Sequence, residues 1–300
     1  MRVIEEVGAE DYRVHTQIKS GILEIAASLK DSGRRLRSGC PACLDSNYGY
    51  RFSMIGFHYV ACETCDTLYV QNPLDQDSFQ DYASRVQSLY SLPGSLDELR
   101  TSSQRRSFSF EVGLNRLFER NRSRTIGYDG RSSMLAKGLA KQLPEFEFQA
   151  YSGEENQEFD LLIVDNLIGT FFDPRDYLGK VQKSLKSDGY LYLTSRLGSG
   201  VDILFLGGNS NIIPTENLNL FTREGILALL SNGFRIKELS TPGTLDVQMM
   251  LESQAENFSP FLAYLKKHRK DEIEENFQEF VQKNLLSSYL VLVAQKEDSR

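Results

Sequence analysis

Apolar residues crowd most tightly between Phe159 and Ser195, and their spacing there defines the architecture. Phe159 to Val164 is a short apolar run ending at Asp165, the pattern of a strand buried on both faces. Beyond the turn at Asp173-Pro174, Leu178, Val181 and Leu185 recur at i, i+3 and i+7, which predicts an amphipathic helix. Asp188-Gly189 is read as the stop of that helix, and Tyr190 to Thr194 as the start of a second apolar strand. Strand, helix and strand with tight connections make a βαβ unit with parallel strands and a right-handed crossover. Asp165 either closes its strand or faces the crevice in which doubly wound sheets bind ligands.

The same reading extends to both sides. Ile18, Ile22, Ile25 and Leu29 mark a helical face over His15 to Lys30. Tyr48–Phe52 and Phe57–Val60 read as a hairpin, and Leu68 to Pro73 as an extended exit from it. Residues 75–104 are polar and read as a connecting arm with some helix. Gln104 to Arg122 resumes helical spacing through Phe110, Leu114 and Leu117. Arg124 to Ser133 lies where a first strand turns into a helix, with Gly127 and Gly130 in the turn, and Glu145 to Tyr151 alternates like a strand. The glycine-rich segment 196–211 reads as a flexible cover or a long loop. Thr222 caps a helix stopped at Asn232-Gly233, Phe234 to Leu239 is a strand, Ser259-Pro260 opens a largely helical region to about Leu285, and Ser287 to Gln295 closes the sheet.

Composition narrows the class. Three hundred residues with 40% hydrophobic content support one large or two modest domains. The net charge of −7, from 34 basic and 41 acidic residues, argues against a nucleic-acid binder. No apolar run approaches membrane-spanning length and no secretory leader opens the chain, so a cytoplasmic protein is expected. The four cysteines change the picture most. Cys40, Cys43, Cys62 and Cys65 form two CxxC pairs separated by a predicted hairpin. Each pair sets two thiolates on one turn, and two such turns close a tetrahedron around Zn²⁺, a structural site with no open position for catalysis. A disulfide pair or a redox CxxC explains the double motif less well.

A CxxC…CxxC ribbon followed by "LYVQNP" and then by a strand, a glycine turn and a helix resembles the zinc-ribbon class I S-adenosylmethionine methyltransferases of sugar and polysaccharide pathways. "FDLLIVDNLIGTFFDP", "PTENLNLFTREGILALLSNGF" and "TPGTLDV" look like further segments of that family, in order, between residues 38 and 296. The resemblance implies a Rossmann-like methyltransferase sheet, mostly parallel with one antiparallel strand, preceded by a small zinc ribbon. It divides the chain into an N-terminal helical segment (1–37), the ribbon (38–73), a helical arm (74–122) and the sheet domain (123–300), with a helical insertion at about 244–286.

By the same resemblance Gly127, Asp129, Gly130, Glu154, Asp165 and Asn166 line a cofactor crevice, and Tyr192, Glu216 and Asn217 the substrate side. The family's acid and glycine pattern is altered: Thr125 replaces the acid, and Asp129 and Arg131 replace two glycines. One helix–strand unit before Phe159 is missing, and an amide at Asn217 replaces a titratable imidazole. Two readings follow. One is an S-adenosylmethionine-dependent methyltransferase with structural zinc, acting on a small-molecule or sugar-linked substrate. The other is a methyltransferase fold that has lost its cofactor, with Tyr128, Asp129 and Arg131 filling the crevice, and serves as a binding or scaffolding module for a protein partner.

Overall fold

A computed structural model describes residues 20–90, 124–129, 136, 139–141, 143–153, 157–253, 260–268 and 271–297, without the side chains of 87–90. Gly130, Arg131 and Glu154, like the helix expected over 104–122, lie outside the described residues. The helices are α1 (residues 20–28), α2 (Gln76–Tyr90), α3 (Pro174–Lys183), α4 (Val201–Leu206), α5 (Arg223–Leu230), α6 (Asp246–Glu252), α7 (Pro260–Lys267) and α8 (Asp271–Lys283). The strands are β1 (Tyr48–Met54), β2 (Phe57–Cys62), β3 (Leu68–Val70), β4 (Arg124–Asp129), β5 (Phe146–Tyr151), β6 (Phe159–Val164), β7 (Leu185–Arg196), β8 (Asn219–Leu220), β9 (Phe234–Ser240) and β10 (Tyr289–Lys296).

Six strands form one sheet in the order β5-β4-β6-β7-β10-β9. β4 runs parallel to β5 and β6, and β6 parallel to β7, whereas β10 is antiparallel to both β7 and β9. This is the mostly parallel α/β sheet with one reversed strand that the sequence implies. β6 explains the apolar run at its centre. Leu162 and Val164 enter the larger core, while Leu161 and Ile163 pack with Ile126, Leu139 and Leu143 on the other face. β5 is the edge strand, and its connection to β6 is residues 152–158, too short for another helix and strand. An extended chain covers roughly 3.3–3.6 Å per residue, so this seven-residue stretch cannot supply both a helix and a strand. Gln157 anchors it, with Oε1 accepting from Ser152 N–H at 2.9 Å.

Two expectations are corrected. Leu185 and Asp188-Gly189 belong to β7, not to the helix, which ends at Ser184, whose N–H bonds back to helical carbonyls. Asp188, at φ 62°, sits where the β6–β7 register shifts. The segment expected as a cover or loop contains α4, because Val201, Ile203 and Leu206 are buried. Elsewhere local signals hold: the Asp173 side chain accepts from Arg175 N–H and Asp176 N–H, and Pro174 opens α3.

A second sheet, β1-β2-β3-β8, is the ribbon plus the two-residue strand β8 from the later part of the chain. Its core is continuous with the large sheet: Cys40, Cys62, Cys65 and Tyr69 share a cluster with Phe159, Leu193, Phe221 and Leu292.

At the amino end of β6, Asp160 accepts from Thr125 N–H (2.9 Å), Arg124 (3.1 Å) and Lys186 (2.8 Å). Burial alone raises its pKa, but the Lys186, Thr125 and Arg124 bonds outweigh that and hold it below the usual carboxylate value. A depressed folded pKa gives stability that is complete above the unfolded value near 3.9 and is lost as pH falls through the folded one. Asp160→Asn is therefore expected to cost about 1–3 kcal/mol at pH 7. Urea titrations at pH 7 and below pH 3 check this, because the gap to the unaltered chain must close in acid.

Candidate functional site

Chain direction places the candidate ligand-binding edge. From β4 the chain steps to β5 on one side, while the next strand, β6, lies on the other. The carboxyl ends of β4 and β6 thus flank a topological switch point, where open α/β sheets form their crevice. Asp129 ends β4, and Asp165 and Asn166 follow β6. Thr194 of β7 organises the second pair: its hydroxyl donates to Asp165 Oδ1 at 2.7 Å and accepts from Asn166 N–H at 2.7 Å. Asn166 takes φ 50°, a left-handed turn that asparagine tolerates.

Asp129 is engaged by Tyr177, whose hydroxyl donates to Oδ2 at 3.2 Å. The Tyr177 ring stacks on Phe171 with centroids 4.1 Å apart and meets Tyr151 edge-on at 6.4 Å. Tyr177, Phe171 and Thr194 were not singled out by sequence, because nothing in local spacing marks them.

Gly127 lies inside β4, not in the turn after it, and its place in the strand has a packing cause. A Cβ there would stand 2.7 Å from the Phe159 ring. Tyr128 is partly buried with Ile126, Leu161 and Ile163, on the face opposite Gly127. Tyr192 pairs with Ile163 of β6 and packs in that same cluster. Pleat alternation puts it on the face of Thr194, one step below the crevice rim. Glu216 and Asn217 lie elsewhere, against the ribbon. Glu216 accepts from the Tyr82 hydroxyl at 3.2 Å. Asn217 Oδ1 closes a turn by accepting from Ile213 N–H (2.9 Å), and its carbonyl accepts from the Tyr59 hydroxyl (2.9 Å). The expected substrate residues therefore do not form one cluster with Tyr192. A shallow hollow of about 240 Å³ between α3 and Gly153 is a separate feature, and its Lys180 is paired with Asp176.

The four cysteines do converge. Their sulfurs all lie within 4.8 Å of one another, with Cys40–Cys65 at 3.6 Å and Cys43–Cys62 at 3.4 Å. These distances exceed a disulfide bond and approach the roughly 3.8 Å edge of a tetrahedron with 2.3 Å zinc–sulfur bonds. Each CxxC is followed by a left-handed residue, Leu44 (φ 70°) and Asp66 (φ 54°), which folds both turns around one centre. Ala42 N–H points at Cys40 Sγ from 3.4 Å, and Thr67 Oγ1 lies 3.3 Å from Cys65 Sγ. Crowding sets the thiols against one another. The bond to Cys65, then burial, pushes Cys40 up, while the same bond pulls Cys65 down to about 5. Beside them the Tyr69 hydroxyl is fully buried without a hydrogen-bond partner. Sulfur spacing, knuckle geometry and an orphaned donor all fit a zinc tetrathiolate. His58 is not a ligand: it is exposed on β2, with Nδ1 2.8 Å from Ser53 Oγ.

No family model matches the chain, and none of the curated proteins matches its sequence. Among solved structures the chain is similar to the plantazolicin methyltransferase BpumL in complex with S-adenosylhomocysteine, with a TM-score of 0.39 and 14% identity over 73% of this chain and 99% of that one. It is also similar to coclaurine N-methyltransferase bound to N-methylheliamine and S-adenosylhomocysteine (0.38, 9%, 64% and 70%). The cyclase SpnF gives 0.37 at 12% identity, over 65% and 81% of the two chains. The description of the fold rests on this chain's own strand order and direction. This chain has a mostly parallel α/β sheet with one reversed strand and a four-cysteine ribbon built onto it.

Proposed function

We propose that this protein is an S-adenosylmethionine-dependent methyltransferase whose cofactor lies at the carboxyl ends of β4 and β6, and whose ribbon holds a structural zinc ion. The observation that carries the reading is the switch point between β4 and β6 with carboxylates on both rims, Asp129 and Asp165. Asp165, fixed by Thr194, is a rigid acceptor for hydroxyl or ammonium groups. S-adenosylmethionine supplies an already activated methyl group, so the protein's task is to orient an acceptor in line and exclude water. The acceptor is a small molecule, and the resemblance of the sequence segments favours a sugar-linked one. No general base is assigned: the Asn217 amide is held in its turn and does not titrate.

One feature supports the alternative of a cofactor-free module. Asp129 stands where the family carries a glycine, and Tyr177 holds it. Thermal unfolding with S-adenosylhomocysteine separates the two readings. Ligand at a hundredfold excess over its Kd adds about 2.7 kcal/mol. The expected result is a rise in Tm of several degrees, abolished in Asp165→Ala. An unchanged Tm at millimolar ligand would support the module.

A further inference from the structure

The metal knuckle touches the crevice-side loop through arginines rather than through its sulfurs. Arg37, three residues before Cys40, is 7% exposed. Its Nη1 donates to the Phe172 carbonyl at 2.8 Å and its Nη2 to the Phe171 carbonyl at 3.5 Å, and the guanidinium sits 4.6 Å over the Phe172 ring. Its Nε has no acceptor. The negative or polar groups within electrostatic reach are Tyr69, Cys40 and Asp173, and burial outweighs them, lowering its pKa to about 10. A buried cation so poorly matched by carboxylates needs another counter-charge. Four thiolates around Zn²⁺ carry a net charge of −2, and Cys40 is one of them. The Tyr69 side chain, its hydroxyl buried without a hydrogen-bond partner, packs in one cluster with Cys40, Cys62 and Cys65.

The same loop is held from its far end. Arg175, in the first turn of α3, donates to the Ala42 carbonyl inside the first CxxC and to the Ala228 carbonyl at 3.2 Å. Asn219 of β8 donates to the Phe171 carbonyl at 2.7 Å. Residues 171–175 are therefore clasped to the knuckle at both ends. Two residues later Tyr177 reaches Asp129 on the crevice rim.

We propose that Arg37 and Tyr69 form the outer shell of the zinc site, and that through Arg37 the loaded knuckle fixes the 171–175 loop and with it Tyr177. They are positioning residues: Arg37 balances the tetrathiolate and ties it to the loop, and Tyr69 packs its unpartnered hydroxyl among the cysteines' buried neighbours. Outer-shell partners of metal sites typically change metal affinity 10- to 100-fold. The inference rests on zinc occupying the four cysteines, and its last link on the crevice being the functional site.

Zinc-loaded full-length protein and its Arg37→Met and Tyr69→Phe variants, with Arg235→Met as a surface control, are titrated with a chromophoric chelator, and amide exchange is followed in peptides spanning 167–177. Arg37→Met is expected to surrender zinc at about tenfold lower chelator concentration or less. Tyr69→Phe should shift the same way, and the control not at all. In zinc-loaded Arg37→Met the 167–177 peptides should exchange at least tenfold faster, while β9 and β10 peptides keep their protection. Unaltered zinc retention in both variants would overturn the outer shell, and unaltered exchange in Arg37→Met would overturn the coupling. Should stripping zinc unfold the whole chain, the zinc-loaded variants still decide. Neither readout uses S-adenosylhomocysteine, so failure of cofactor binding and failure of this inference are separately visible.

Discussion

Replacing Cys40 and Cys62 together by serine is expected to abolish zinc binding and unfold the ribbon sheet. The two residues come from different knuckles, so the change leaves two thiols that cannot close a tetrahedron. Structural zinc contributes on the order of 10–16 kcal/mol at pH 7 in small zinc modules, as much as the whole stability of a typical domain. The effect should spread beyond the ribbon, because β8 pairs with β3 and the Thr222 hydroxyl bridges the Cys65 carbonyl to the start of α5. Elemental analysis should give one zinc per unaltered chain and none for Cys40→Ser/Cys62→Ser, with a loss of cooperative unfolding. Because the ligands bind as thiolates, zinc affinity must fall as pH drops below the free thiol pKa of about 8.5. Stoichiometric zinc in the double variant would refute the ligand set.

The second large effect concerns Asp246, which pins the helical insertion to the last strand. Its side chain is 1% exposed and accepts four bonds: Ser288 N–H at 2.7 Å, Ser288 Oγ at 2.8 Å, Ser287 Oγ at 2.7 Å and Gln278 Nε2 at 2.8 Å. Asp246→Ala strands all four donors away from water. Removing one partner from a buried charged network costs about 3–5 kcal/mol. At 2–4 °C per kcal/mol for a chain of this size, Tm should drop by roughly 10 °C. Calorimetry measures this, and a drop under about 2 °C would show that the network is not holding α6 and α8 to β10.

What could be read in advance depended on how local the cause was. The β6–α3–β7 unit was legible because two-face burial writes a continuous apolar run, and the turn at Asp173-Pro174 is a two-residue signal. The knuckles were legible because ligand spacing within each turn is fixed by the chain itself. The place of Gly127 inside β4 was not legible: its neighbour Phe159 lies far along the sequence and meets it only across the sheet. β8 was missed because a two-residue strand has no periodicity, and Asn219 and Leu220 are extended only because β3 pairs with them. α4 departs from the loop that its flanking glycines signal because burial of Val201, Ile203 and Leu206 decides the helix. Thr194 and Tyr177, which bond to Asp165 and Asp129 at the proposed crevice, act on residues 29 and 48 positions away.

Those two contacts bound the central claim, a crevice between β4 and β6 that admits a nucleoside-sized ligand. Calorimetric titration of the zinc-loaded chain with S-adenosylhomocysteine tests it most directly. Saturable heat at one ligand per chain, lost in Asp165→Ala, is the result expected. A flat titration at millimolar ligand, from protein shown to be folded and zinc-loaded, would contradict it.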